Sequence, residues 1–179
     1  MILVRPDDVG PAAFARLLRD RHLAHLLPGV ARPADIPDSP GLRALAAADR
    51  VPTHVVLTGL AALWVHCWRD DAPAGWHAVG VRGLYRPAST AVRLHSGPTA
   101  RLGATVEGGL RLAPPARACV DALRWEPPHA ALHTVAGAVA RGRLAPADLE
   151  AALRHDARSS AGYARVAGLV EAIRAAWSP

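Results

Sequence analysis

Lysine, asparagine and glutamine are absent from this chain of 179 residues, so all 21 basic side chains are arginine. Against 15 acidic residues the formal net charge is +6 at pH 7, and the isoelectric point is near 10.8. Arginine pairs bidentately with phosphate, so a balance of this kind favours a polyanionic partner. The excess is spread thinly along the chain, and composition alone locates no site. Only two cysteines are present, Cys67 and Cys119. Two cannot build a disulfide framework, and their isolation argues against a cysteine-based zinc site. No run approaches the ~18 apolar residues of a membrane-spanning helix. The opening MILVRPDDVGP carries acids and prolines where a signal peptide needs an apolar core. A cytoplasmic protein is the resulting expectation. Apolar residues make up 51% and charged residues 20% of the chain, which excludes disorder throughout.

What is present alternates between two periodicities. After Gly10-Pro11, the stretch AAFARLLRDRHLAHLL sets Phe14, Leu17, Leu18 and Leu23 at helical spacing, with Arg16, Arg19 and Asp20 opposite. HLAHLLPGVARP then reads as a short strand pair turning at Pro28-Gly29. PADIPDSPG, residues 33–41, reads as a boundary. Ser39 is placed to cap a helix beginning at Pro40, and Thr58 to cap another that carries Leu60, Leu63 and Trp64. From Trp76 to Ala113 the period shifts towards two, in WHAVGV, AVRLHS, ARLGATVE and GLRLA, separated by turn residues. Beyond Pro114-Pro115 the helical period returns and holds to the end. The expected class is α+β: a small winged-helix-like segment over residues 1–36, then an α+β domain over 37–179 with a small sheet and a helical C-terminal third.

Catalytic chemistry finds little support in the residues. His129 and His133 share a helix face, but Ala130, Ala131 and Leu132 lie between them, with no glutamate base. They are expected to be exposed helix histidines. Neither a G-x-S-x-G elbow nor a phosphate loop nor a dinucleotide fingerprint occurs. VGVRGL, residues 79–84, has only two glycines, and GATVEGG, residues 103–109, reads as a hairpin turn. Cys67 reads as a buried structural thiol. Arg117 and Asp121 stand at i, i+4 on one helix and form the best-placed ion pair, with a structural role expected. No catalytic residue, metal ligand or cofactor is assigned.

The order of these signals is distinctive. The run from Leu17 to His66 resembles the AbiEi-type antitoxins of type IV toxin–antitoxin systems. In that family a winged helix ends in a basic ribbon of the form rrGvY, followed by an alanine-rich helix and a vlSH-x-SAA-x-x-h-x-G helix. Here Gly29 takes the ribbon position, and Thr58, Gly59, Ala61, Ala62 and His66 match the later helix. LRLAPPARACVDAL resembles the family's vtsPaRTlvDla segment through Pro115, Arg117, Val120 and Asp121. ARGRLAPADLEAAL resembles rrglvtpaeLaaal through Gly142, Leu144, Leu149 and Leu153. The chain departs from the pattern in four places. Ten residues precede the first long helix where the family has two further helices, no tyrosine follows Gly29-Val30, Thr58 replaces a serine, and Cys67 stands in place of a glycine.

The resemblance implies an antitoxin that represses its own operon through operator DNA and counters a cognate nucleotidyltransferase toxin, with or without direct contact. It implies a stand-alone, non-enzymatic form without the Vsr-like endonuclease domain that many relatives carry. Arg16 and Arg19 would reach phosphates or guanine edges from a helix in the major groove. Arg21, His22, His25 and Arg32 would touch the backbone or minor groove from the ribbon. A segment so small needs support from the larger domain or from a homodimer. The alternative expectation is a protein-binding module without DNA binding, with Trp125 and Trp177 as candidate anchors.

Overall fold

Proline opens six of the eight helices in the computed structural model, which describes residues 2–80, 92–96, 103–155 and 161–177. Pro6, Pro11, Pro40, Pro115, Pro128 and Pro146 each occupy the first position of a helix. There the missing N–H has no intrahelical partner to lose and the fixed φ is already helical. The chain is α+β, as its periodicities predict. In order it forms α1 (Pro6–Val9), α2 (Pro11–Arg19), β1 (Leu23–Leu27), β2 (Val30–Pro33), α3 (Pro40–Ala47), β3 (Val56–Thr58), α4 (Gly59–Val65), β4 (Trp76–Gly80), β5 (Val92–Ser96), β6 (Thr105–Glu107), β7 (Leu110–Leu112), α5 (Pro115–Trp125), α6 (Pro128–Ala140), α7 (Pro146–Arg154) and α8 (Tyr163–Trp177).

Among the described residues there are two sheets. β1 and β2 form an antiparallel ribbon turning at Pro28-Gly29, with Gly29 at φ +73°. The other five strands form a mixed sheet in the order β5-β4-β3-β7-β6. β3 is central and wholly buried, antiparallel to β4 and parallel to β7, while β4 and β5 run parallel. β6 and β7 are joined by Gly108-Gly109, both at positive φ, the requirement of a two-residue hairpin turn. The last residues of VGVRGL, from Val81 onward, and the start of ARLGATVE lie outside the described residues.

Two apolar clusters hold the elements. The main one gathers Leu57, Leu60, Leu63, Trp64, Leu112, Leu123 and Leu149 between the sheet and the C-terminal helices. Each such side chain contributes about 1.5–3 kcal/mol on burial. A second cluster of Phe14, Leu23 and Ala31, with Val4, Leu17 and Leu18 against it, joins α2 to the ribbon. Leu26, Leu27 and Val30 of the ribbon belong to the main cluster, so the N-terminal segment is docked on the larger part through its strands. Buried Arg43 of α3 reinforces the junction beyond it. It donates to Asp38 Oδ2 at 2.6 Å and to the carbonyls of Trp64 and Arg69 at 2.6 Å, which satisfies its charge inside the fold.

Helix ends explain two residues that the sequence pattern leaves odd. At the end of α2 the Arg21 N–H donates to Leu18 O and the His22 N–H to Leu17 O, a left-handed cap that puts Arg21 at φ +61°. α4 ends the same way: Cys67 donates to Trp64 O and Trp68 to Leu63 O, with Cys67 at φ +59°. α6 repeats the device at Gly142, φ +67°, with bonds from Gly142 to Val139 O and from Arg143 to Ala138 O. Arginine and cysteine thus hold a conformation that suits glycine.

Candidate functional site

The exposed basic surface begins on α2. Its apolar side buries Phe14, which turns Arg16 and Arg19 outward. The left-handed cap then projects Arg21 and His22 into solvent, and in β1, where the pairing register shifts between His25 and Leu27, His25 is exposed between buried Leu23 and Leu26. The His25 ring meets Phe14 edge-on at 6.4 Å, which fixes its base against the small core. Residues 16–25 therefore carry five exposed arginine and histidine side chains on one helix, turn and strand. Asp20 is the acid among them, 3.2 Å from Arg19 Nε.

Arg32 is placed differently from the other predicted contacts. It is half-buried, and its Nη1 donates to Pro33 O at 3.1 Å and to Ile36 O. The physical reason is local: carbonyls leaving β2 lose their ladder partners, and the guanidinium of Arg32 supplies donors to them. Arg32 holds the exit of the ribbon, and the outward set is Arg16, Arg19, Arg21, His22 and His25.

The second constellation lies at the centre of the larger part. Asp121 of α5 is 1% exposed. Its Oδ2 accepts from Thr58 Oγ1 at 2.7 Å and from Arg117 Nε at 3.1 Å, and its Oδ1 lies 2.9 Å from Arg117 Nη2. Burial pushes the carboxyl up, while the charge and hydrogen bonds of Arg117 and the bond from Thr58 pull it down, with burial the larger effect. Thr58 does occupy the N-cap position of α4, yet its hydroxyl donates to Asp121 and does not cap the helix, whose Leu60 N–H donates to Glu126 Oε1 instead. The ion pair expected from i, i+4 spacing is thus an inward one that ties α5 to β3 and α4.

A third cluster escapes sequence reading. Parallel pairing of β4 with β5 brings His77 near His95, and their Nδ1 and Nε2 atoms are 2.8 Å apart. Such a contact holds one proton between its two nitrogens. Trp125 lies flat on His95, ring centroids 3.7 Å apart, and is half-buried, not an exposed anchor. Buried Glu126 places Oε2 3.8 Å from His77 Nε2 and accepts from the Leu60 N–H through Oε1. Burial raises the Glu126 carboxyl and lowers His77, the latter helped by the charge of Arg93. The signal in sequence was slight: a glutamate between Trp125 and Pro127, and two histidines 18 apart.

Other candidates resolve simply. His129 and His133 are both exposed on α6. Among the described residues no three His, Cys, Asp or Glu side chains are grouped to hold a metal ion. Cys119 is fully buried, and its thiol is pushed up to about 12 by burial. Cys67 is half-buried, not fully buried as expected, because the left-handed cap swings it to the rim of a polar cavity. Trp177 is 42% exposed at the end of α8. No described helix is long and apolar enough to cross a membrane.

No family model matches the chain, and no curated protein matches it. Among solved structures it is similar to the RV2827C protein from Mycobacterium tuberculosis, at 16% identity and a TM-score of 0.45. The match covers 97% of this chain and 72% of that one.

Proposed function

We propose that the protein is a non-catalytic, DNA-binding antitoxin of the AbiEi type, which represses its own operon and counters a nucleotidyltransferase toxin. The observation that carries the DNA-binding part is the exposed set Arg16, Arg19, Arg21, His22 and His25 on a helix–ribbon unit buttressed by two cores. Guanidinium groups so arranged suit phosphates and guanine edges, and the docked ribbon supplies the rigidity that a thirty-residue segment lacks alone.

The resemblance gains support from conformation. The family pattern has glycine at the positions of Gly29, Cys67 and Gly142, and all three are at positive φ here. Two of its motifs, around Thr58 and around Asp121, meet in one buried hydrogen bond across 63 residues of chain. Short motifs that coincide with backbone and core requirements fit the reading better than chance likeness does.

The test is genetic and direct. A reporter driven by the gene's own upstream region should be repressed when the protein is supplied, and repression should fall in Arg16→Ala and Arg19→Ala. Growth arrest by a nucleotidyltransferase encoded beside the gene should be relieved by the intact protein. Absence of both repression and relief would remove the antitoxin reading.

A further inference from the structure

Two adjoining cavities share Trp68 and Arg143 as a common wall. The first, about 600 Å³, has mainly apolar walls, among them Val79, Pro114, Pro115, Leu144 and Ala152. The second, about 410 Å³, is polar and is lined by Arg69, Arg141 and Arg143, with Asp70 and Asp71 also on its walls. Arg69 donates through Nε to Asp71 O at 2.6 Å, whereas its Nη1 is buried without a hydrogen-bond partner. A buried donor left unmatched is unfavourable, so this atom is set to gain from an incoming acceptor. The Cys67 and Gly142 caps shape the site: each turns its chain sharply, and Arg143 Nη1 bridges the two turns by donating to Cys67 O at 3.0 Å.

We propose that the two cavities form one binding site for a small aromatic monophosphate. Its ring system lies in the apolar chamber beside Trp68, and its phosphate meets Arg69, Arg141 and Arg143. Three considerations select this chemistry. The apolar chamber falls within the ~300–1,000 Å³ of small-molecule sites. Three guanidinium groups against two carboxylates leave the second chamber with net positive charge, and the planar fork of arginine matches phosphate. Trp68 stands at the boundary between the chambers, where an aromatic wall accepts a stacked or edge-on ring. The site is separate from the basic surface on α2 and β1 and does not depend on DNA binding.

Calorimetric titration of the full chain with 1-naphthyl phosphate, 1-naphthol and inorganic phosphate tests the assignment. Naphthyl phosphate should bind saturably, one per chain, and each half-molecule at least ~10-fold more weakly. Arg141→Gln alters an exposed side chain and should weaken naphthyl phosphate ~10-fold while leaving naphthol unchanged. Ala152→Phe, with its fold checked by circular dichroism, should weaken both ring-bearing probes. Arg16→Ala should change none of the three. Absence of saturable binding, equal affinity for naphthol and naphthyl phosphate, or an unchanged affinity in Arg141→Gln would each overturn the proposal.

Discussion

Arg21 holds a backbone conformation that disfavours every side chain, and its side chain lies in the surface assigned to DNA. The left-handed region costs a non-glycine residue about 1–2 kcal/mol. Replacing Arg21 by glycine should therefore stabilise the fold by ~1 kcal/mol while weakening DNA binding, read by urea unfolding and fluorescence anisotropy on the same protein. Lower stability in that variant would show that Arg21 makes contacts that outweigh its backbone strain. Asp121 behaves oppositely. Its removal takes one acceptor from Arg117 and one from the Thr58 hydroxyl at a buried position, and Asp121→Ala should lose ~3–5 kcal/mol. An unchanged Tm would contradict the inward role given to this pair. Glu126 introduces a pH dependence. Its carboxyl is raised above the ordinary 4.5, so its stabilising contribution is complete below pH 4.5 and is lost as pH climbs through the raised folded value. His77 is lowered below 6.5, so its contribution is present above pH 6.5 and is lost as pH falls through the lowered value. Glu126→Gln retains an acceptor for the Leu60 N–H and should gain stability over the parent at neutral pH but not below pH 4.5. The Arg117–Asp121 pair was legible because i, i+4 spacing on a helix places both on one face. His77, His95 and Glu126 were not, because only the parallel β4–β5 pairing and the end of α5 bring them together.

Some helix starts were readable and helix ends less so. Pro11, Pro40 and Pro115 marked first turns, while Pro28, Pro52 and Pro73 open no helix and the starts at Pro6 and Pro128 went unread; Arg21 and Cys67 sit at caps where glycine is the usual sign. Strand existence was likewise visible in the period of two, but strand order was not: the parallel pairs β3–β7 and β4–β5 depend on long connections that no local pattern encodes. The β6–β7 turn offers a controlled comparison. A Cβ on Gly108 would lie 2.9 Å from Ala44 Cβ and 3.0 Å from Leu45 N, whereas one on Gly109 meets nothing within 4 Å. Both glycines are at positive φ, so Gly109→Ala should cost about 1 kcal/mol and Gly108→Ala clearly more, as the hairpin is pushed off α3. Equal losses in thermal unfolding would mean that the hairpin does not rest on α3.

The N-terminal unit is bound to the rest by buried leucines and valine from its ribbon, so α2 is carried as a fixed projection. That arrangement turns scattered positive charge into an oriented surface, and it is the physical basis of the proposed operator contact. The decisive measurement is fluorescence anisotropy of the full chain on its own upstream duplex over a range of salt. Binding should be tighter than to random duplex, and it should weaken with salt at a log–log slope of about −0.9 per phosphate contact. Arg16→Ala and Arg19→Ala should each lower the magnitude of that slope by about one if they meet phosphates, or cost ~1–3 kcal/mol at a single base position if they read guanine. Affinity equal to that for random duplex, with a salt slope unchanged in both variants, would contradict the account.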